Sequence, residues 1–324
     1  MKNNNGETLS ILLIEDDPDD EALIIRRLRR ANGWKIIYQC VSTEAALLVA
    51  LDKSTWDIVL CDFKLPTLSP YKALELVKSI HYDLPLIIIS GSVREDVAIE
   101  LLKAGASDFI SKDNPERLPL AIRRELRQAG DRVQSKLDIA RSYDMTILGW
   151  SEVLELRDHF TSGHTQRVTD LTLRLARRMG IDGIDFINIY RGALLHDIGK
   201  MAIPDVILLK PEPLDLHEKR IIQKHPQIAY ELLRKIPYLQ GALNIPYCHH
   251  EKWDGSGYPQ GLQGDAIPLE ARIFAVVDVY DALTSDRPYR KAWSQDQALT
   301  YLQKQMGASF DSAIANQFLA MIGE

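Results

Sequence analysis

From Leu9 to about Asn114, short apolar runs alternate with amphipathic stretches. The runs LSILLI (9–14), WKIIYQCV (34–41), DIVLCD (57–62), LPLIIIS (84–90) and SDFI (107–110) are β-branched and apolar throughout. That is the pattern of parallel strands covered on both faces. The stretches near 19–31, 43–53, 69–81 and 94–104 carry apolar residues at helical spacing, and Gly105 follows the last where a helix C-cap belongs. Repeated βα units of this kind predict an α/β doubly wound domain, with ligands at the carboxyl ends of its strands.

From Pro115 to about Leu156 the strand signals vanish and charge rises. Val133, Leu137, Ala140 and Ile147 share an a/d-like spacing that Asp144 interrupts. Two readings stand side by side: a helix packed on its own domain, and a helical linker that forms a homodimer seam with a second chain. Beyond Val153 the pattern is helical almost everywhere, broken by Gly- and Pro-rich loops around 203–214 and 253–268. The cluster Arg26, Arg27, Arg29 and Arg30 reads as a solvated helix face. The expected organisation is an α/β domain over 8–125, a helical linker over 126–150 and an all-α domain over 151–324.

Composition adds bounds. The 324 residues are 46% hydrophobic and 26% charged, with a formal net charge of −6. This is ordinary for a soluble two-domain chain and gives no global electrostatic case for DNA binding. No apolar run approaches the roughly 20 residues of a membrane span, and the start has no signal-peptide core, so no membrane insertion and a cytoplasmic location are expected. Cys40, Cys61 and Cys248 are too few and too scattered for a disulfide framework or a thiolate metal site. The histidines are more informative: of eight, only His81 precedes residue 150.

In the first half, Glu15, Asp16 and Asp17 follow the first strand and Asp62 ends the third. In a parallel sheet these ends share one edge, so the carboxylates converge, and the usual remedy for their repulsion is a hard divalent cation such as Mg2+. Ser90 ends the fourth strand and Lys112 follows the fifth, a hydroxyl and an ammonium suited to an anion beside the metal. Together they describe a phosphoryl-accepting carboxylate with Asp62 as nucleophile. Each acid alone reads more simply as a helix cap, with Pro18 near N1. The motifs LLIEDD, VLCDFKLP, IIISGS and DFISKDNP resemble those of response-regulator receiver domains over about 8–125. The resemblance implies phosphorylation of Asp62 by a cognate histidine kinase. It further implies Mg2+ held by Glu15, Asp16, Asp62 and the Lys64 backbone carbonyl, and a switch made of Ser90, Phe109 and Lys112.

In the second half, LLHDIGK sets His196 beside Asp197, and YCHHEKWDG sets His249 beside His250 before a glycine-rich loop. An Asp has two oxygens and can bridge two ions. Imidazole and carboxylate without thiolate suit Fe, Mn, Zn or Ni. VVDVYDAL adds Asp278, with Asp281 on nearly the same helix face. His164, His196, Asp197, His225, His249, His250 and Asp278 are enough ligands for two adjacent ions, the standard arrangement for phosphodiester hydrolysis. Lys200, one turn beyond His196, and Arg287 and Arg290 of DRPYRKAW suit phosphate oxygens. Cys248 reads as a buried hydrophobe, and His159 and His217 lack ligand-spaced neighbours.

HDIGK, HHEKWDGSGYP and DVYDALTSDRPYR resemble the HD-GYP branch of the HD-domain metal phosphohydrolases, from RDHFTSGHTQRV (157–168) to GASFD (307–311). The resemblance implies an all-helical fold and hydrolysis of cyclic di-GMP to pGpG and/or GMP by a metal-bridging hydroxide, with Asp197 and Lys200 in the catalytic roles. By motif position, His164, His196, Asp197 and Asp278 would hold one ion, and Asp197, His225, His249 and His250 the other. Lys200, Arg287 and Arg290 would face the phosphates, with Gly257, Tyr258 and Pro259 forming the adjacent loop. Some members use an upstream Glu for a third ion; DHFTSG before His164 has none, so two ions are expected, with Fe or Mn ahead of Zn or Ni. The whole chain then reads as a phosphorylation-regulated cyclic di-GMP phosphodiesterase of a two-component system. Other cyclic-di-GMP-signalling proteins are further candidate partners. The alternatives are another cyclic dinucleotide or nucleotide as substrate, or a phosphorylation-gated sensing or docking module with little turnover.

Overall fold

The computed structural model describes residues 8–91, 95–157, 163–286 and 290–324. The chain divides into two compact units that meet between Ile139 and Ala140.

The first unit runs β1 (Thr8–Ile14), α1 (Pro18–Asn32), β2 (Lys35–Val41), α2 (Glu44–Lys53), β3 (Ile58–Asp62), α3 (Pro70–Ile80), β4 (Leu86–Ser90), α4 (Glu95–Lys103) and β5 (Asp108–Ser111). The strands form a five-stranded sheet in the order β2-β1-β3-β4-β5, with every pairing parallel. Alternate residues supply two cores: Leu12, Ile14, Val59, Cys61, Leu86 and Ile88 on one face, Ile11, Leu13, Leu60, Ile87 and Ile89 on the other. This is the doubly wound architecture expected from the pattern. β2 departs from it: as an edge strand it is covered incompletely, and Ile37 is 52% exposed. Strand order reverses between β1 and β3, which opens a crevice at their carboxyl ends. Glu15 follows β1 there and Asp62 ends β3.

Helix α5 (Arg117–Arg157) is one continuous element. Leu118, Ala121 and Ile122 belong to the core of the first unit, whereas Ile147 packs with Leu194, Leu195, Ala229 and Leu239 of the second. The stretch 126–150 is therefore helical and contains the division between units. Asp144, which interrupts the apolar spacing, receives Arg191 Nε at 2.8 Å and so joins α5 to the helical unit by a largely buried ion pair. Val133 and Leu137 are exposed.

The second unit continues with α6 (His164–Arg178), α7 (Gly183–Leu195), a 3-10 turn (Ile198–Ala202), α8 (Asp205–Leu208), α9 (Leu216–Ile222) and α10 (His225–Leu233). After another 3-10 turn (Pro237–Ala242) come α11 (Asn244–Cys248), α12 (Leu269–Thr284), α13 (Gln295–Lys304) and α14 (Ser312–Gly323). Val168 of α6, Ala193 of α7, Ile245 of α11, Phe274 and Val277 of α12, and Phe318 of α14 fill its main core. Histidines placed at the ends of α7, α10 and α11 border that core. No described helix is long and apolar enough to cross a membrane.

Candidate metal centre

Five helices bring the candidate ligand set of the second unit together. His164 opens α6, His196 and Asp197 follow α7, His225 opens α10, His249 and His250 follow α11, and Asp278 lies in α12. Donor atoms of His164, His196 and Asp278 lie within 4.8 Å of one another, and so do those of His225, His249 and His250. Asp197 stands between the two groups. Its Oδ2 is 3.2 Å from His196 Nε2, and its Oδ1 is 3.3 Å from His225 Nε2 and 3.9 Å from His249 Nε2. The carboxylate thus presents one oxygen to each group.

Local backbone fixes which nitrogen each ring presents. His196 Nδ1 meets the Ala193 carbonyl at 2.8 Å, His225 Nδ1 the Ile222 carbonyl at 2.8 Å, and His249 Nδ1 the Ile245 carbonyl at 3.0 Å. A carbonyl only accepts, so Nδ1 carries the proton and Nε2 is left with its lone pair. His225 Nε2 and His249 Nε2 face each other at 3.2 Å, two lone pairs with no proton between them. His196 Nε2 is buried without a hydrogen-bond partner. Such a buried constellation is costly unless a cation enters it. The donor set fits a pair of borderline divalent ions, with the protonated Nδ1 atoms tied back to hold the rings in place.

Electrostatics agree with that fit. Burial and neighbouring imidazoles push His249 well below the usual histidine range and His250 down to about 4; burial likewise lowers His225. His164 is the exception: burial opposes its charge, but Asp278 and Asp281 outweigh it and hold the imidazole at about 9. Burial also works against the carboxylates. Lys200 nevertheless holds Asp197 well below the usual range, and the His164 imidazole beside Asp278 does the same for that carboxyl.

Lys200 Nζ is 2.6 Å from Asp197 Oδ2, at the edge of the ligand group. Tyr258 sets its ring, tilted by 33°, 4.7 Å from that of His250 and donates its backbone N–H to the His250 carbonyl. Gly257 sits where a Cβ would lie 2.4 Å from Lys252 N and 2.5 Å from Glu251 Cα, so the Gly257–Pro259 loop can lie against the His250 segment only with glycine there. Arg290 is differently engaged. Its Nη2 donates to the Ala282 and Leu283 carbonyls at the end of α12, and its guanidinium lies 5.4 Å from the Trp293 ring. Arg287 and His159 lie outside the described residues; His217 is exposed, and Cys248 is a buried thiol that burial pushes up to about 12.

Two contributors lie inside the quoted motifs without an expected role of their own. Asp281 accepts from Arg167 Nε at 2.6 Å and meets His164 Nδ1 at 2.7 Å, which orients that ring as the carbonyls orient the others. Buried Glu251 accepts from Gln260 N at 2.7 Å and Leu262 N at 3.0 Å, anchoring the loop after Pro259. Adjacency to the histidine pair was the only hint for Glu251; shared helix face was the hint for Asp281.

In the first unit, Lys112 Nζ lies 2.5 Å from Asp62 Oδ1, 2.5 Å from Asp20 Oδ2 and 3.3 Å from Glu15 Oε2. Asp62 and Glu15 are buried, and burial together with the Asp62 charge raises the Glu15 carboxyl despite two backbone N–H donors from Asp16 and Asp17. Asp16 is exposed beside them, whereas Asp17 caps α1 by accepting from Asp19 N. Lys64 donates its N–H to Asp62 Oδ2 at 2.7 Å. The Ser90 hydroxyl is buried without a hydrogen-bond partner, and Phe109 packs partly buried on the core. Asp20, in the first turn of α1 rather than at a strand end, is a further acid of this cluster.

Family models separate the two units in the same way. That of the response regulator receiver domain matches residues 11–123, and that of the HD domain residues 150–314. The chain belongs to the HD domain family. Its HD domain follows a receiver domain. The chain is similar to the "Cyclic di-GMP phosphodiesterase response regulator RpfG" of Xanthomonas campestris pv. campestris, 35% identical over 83% of this chain and 78% of that protein. A "Cyclic di-GMP phosphodiesterase" of Thermotoga maritima is 31% identical over 97% of this chain and 90% of its own length. The chain is also similar in part to a "3'3'-cGAMP-specific phosphodiesterase 2" of Vibrio cholerae, 38% identical over 58% of this chain and 37% of that protein.

Proposed function

We propose that the protein is a phosphorylation-regulated cyclic di-GMP phosphodiesterase that yields pGpG and/or GMP. The observation that carries the reading is the pair of facing imidazole lone pairs of His225 and His249, with Asp197 turned toward both donor groups. The names of the long-range relatives supply the substrate. In this reading His164, His196, Asp197 and Asp278 hold one divalent ion, and Asp197, His225, His249 and His250 the other, with Fe or Mn the expected metals. When bound, such a pair acidifies water and offsets charge on the attacking and leaving oxygens. The chain's own contribution is placement. Asp197 spaces the two donor groups, and the carbonyls behind the rings prevent their rotation. Lys200 offers a positive charge and a proton donor to a phosphate oxygen at the cluster edge. Tyr258 covers one flank of His250.

In the receiver domain, Asp62 is the phosphoryl acceptor for a histidine kinase. Glu15, Asp16 and the Lys64 carbonyl would hold Mg2+ with it, Lys112 would pair with the phosphoryl group, and Ser90 would turn its unpartnered hydroxyl toward it, with Phe109 following. An Asp62→Asn variant is expected to take up no phosphoryl group from acetyl phosphate and Mg2+ where the wild type does, as read by intact mass. Uptake by the variant would move the acceptor elsewhere.

Loading the HD domain should also displace the proton held on His164. Near neutral pH, titration with Mn2+ in buffers of different ionisation enthalpy is expected to show roughly one proton released per chain, fading as the pH passes about 9. Release that does not change across that range would contradict the role of His164. Parallel turnover of cyclic di-GMP and 3'3'-cGAMP tests the substrate: faster hydrolysis of the latter would favour the reading suggested by the Vibrio relative.

A further inference from the structure

The last turn of α5 makes two sets of hydrogen bonds that neither the ligand set nor the core explains. Glu155 Oε2 accepts from Gly163 N at 2.8 Å, and Glu155 Oε1 accepts from Thr165 N at 2.7 Å. These donors flank His164 at the start of α6. Gly163 is the N-cap of that helix, with φ of 69°, and makes no side-chain cap of its own. The carboxylate therefore serves as a cap supplied from another helix, where the free N–H groups and the helix dipole favour negative charge.

Two residues on, Arg157 reaches a different segment. Its Nη1 donates to the Met201 carbonyl at 2.7 Å and the Lys200 carbonyl at 3.3 Å, and its Nη2 donates to the Ile203 carbonyl at 2.7 Å and Asp205 Oδ1 at 2.7 Å. Residues two apart on a helix point about 200° apart, which is why one turn can hold two elements. The segment gripped is the end of the 3-10 turn that begins directly after Asp197 and contains Lys200. A guanidinium fork spanning three carbonyls and a carboxylate is a geometry that a lysine ammonium cannot reproduce.

We infer that Glu155 and Arg157 are positioning residues through which the end of α5 sets the geometry of the metal centre: Glu155 places His164, and Arg157 places Lys200 with the Asp197 turn. Both residues lie on α5, which begins at Arg117 in the first unit. The inference rests on the metal-centre reading but not on the identity of the natural nucleotide.

The test uses the full-length protein. Glu155→Gln keeps the size but sets an NH2 against one backbone N–H, and should weaken Mn2+ affinity roughly 10–100-fold in a chelator competition. Arg157→Lys should keep Mn2+ affinity within about threefold yet lower kcat on bis(4-nitrophenyl) phosphate roughly 10–100-fold. Leu156→Ala, in the same turn and 76% exposed, should match wild type in both. Melting temperatures of the metal-free proteins separate positioning from simple loss of fold. If Glu155→Gln does not fold, Glu155→Asp provides the same affinity measurement. Unchanged affinity and kcat in both variants, or losses that Leu156→Ala shares or that follow melting temperature alone, would overturn the inference. Failure of the wild type to hydrolyse cyclic di-GMP would count against the proposed substrate and leave both arms of this test readable.

Discussion

Replacing His196 and Asp197 together by alanine is expected to lower cyclic di-GMP hydrolysis by roughly three orders of magnitude or more, with the helical fold retained. The size of the effect follows from the position of Asp197. One of its oxygens faces His196 and Lys200, the other faces His225 and His249, so its loss removes a donor from both groups at once. It also removes a carboxylate paired with Lys200. Folding should survive because these side chains mostly meet one another, whereas Ala193, Leu194 and Leu195 just before them carry the packing. Circular dichroism and melting of the metal-free double variant check the second half of the expectation. Residual turnover within about tenfold of wild type would remove Asp197 from the site.

Gly199→Ala should be the most damaging single methyl addition in the second unit. A Cβ at this position would lie 1.9 Å from the His225 carbonyl oxygen, 2.8 Å from the His225 carbonyl carbon and 2.9 Å from Ala229 N. All three are backbone atoms of α10, so no side chain can swing aside. Either the turn after Asp197 or the start of α10 must move, at a cost of about 3 kcal/mol or more. For a unit of this size that corresponds to a fall in melting temperature of roughly 6–12 °C. His225 opens α10, so metal affinity should fall with stability. Gly130→Ala is the matched control: no atom lies within 4 Å of its Cβ position, and the helical site should be unaffected or slightly stabilised. Equal melting temperatures for the two variants would contradict the close packing of turn and helix.

The alternation of apolar runs was enough to foresee the parallel sheet, because buried parallel strands leave a strong local mark. It overstated the two edge strands, β2 and β5, whose edge positions depend on strand order rather than on their own residues. The ligands were legible for a related reason: histidine beside aspartate and histidine beside histidine are uncommon pairs, and their chemistry is local. What stayed hidden works through backbone groups far along the chain. Arg157 meets carbonyls 43–46 residues away, Glu251 meets N–H groups of a loop, and Asp144 looked like a flaw in a heptad until Arg191 was seen beside it. Carbonyls and amides are the same for every residue type, so such bonds leave no side-chain pattern. Arg290 illustrates the converse: its composition suggests phosphate binding, while its Nη2 is committed to carbonyls of α12.

The most direct test of the metal-dependent phosphodiesterase reading is a combined measurement on the full-length protein: divalent metal content per chain alongside product formation from cyclic di-GMP, before and after chelation and reloading with Fe2+ or Mn2+. The expected result is about two ions per chain, with pGpG or GMP formed only by the loaded protein and lost on chelation. Hydrolysis that persists in the stripped protein, or a fully loaded protein that leaves cyclic di-GMP intact, would contradict it.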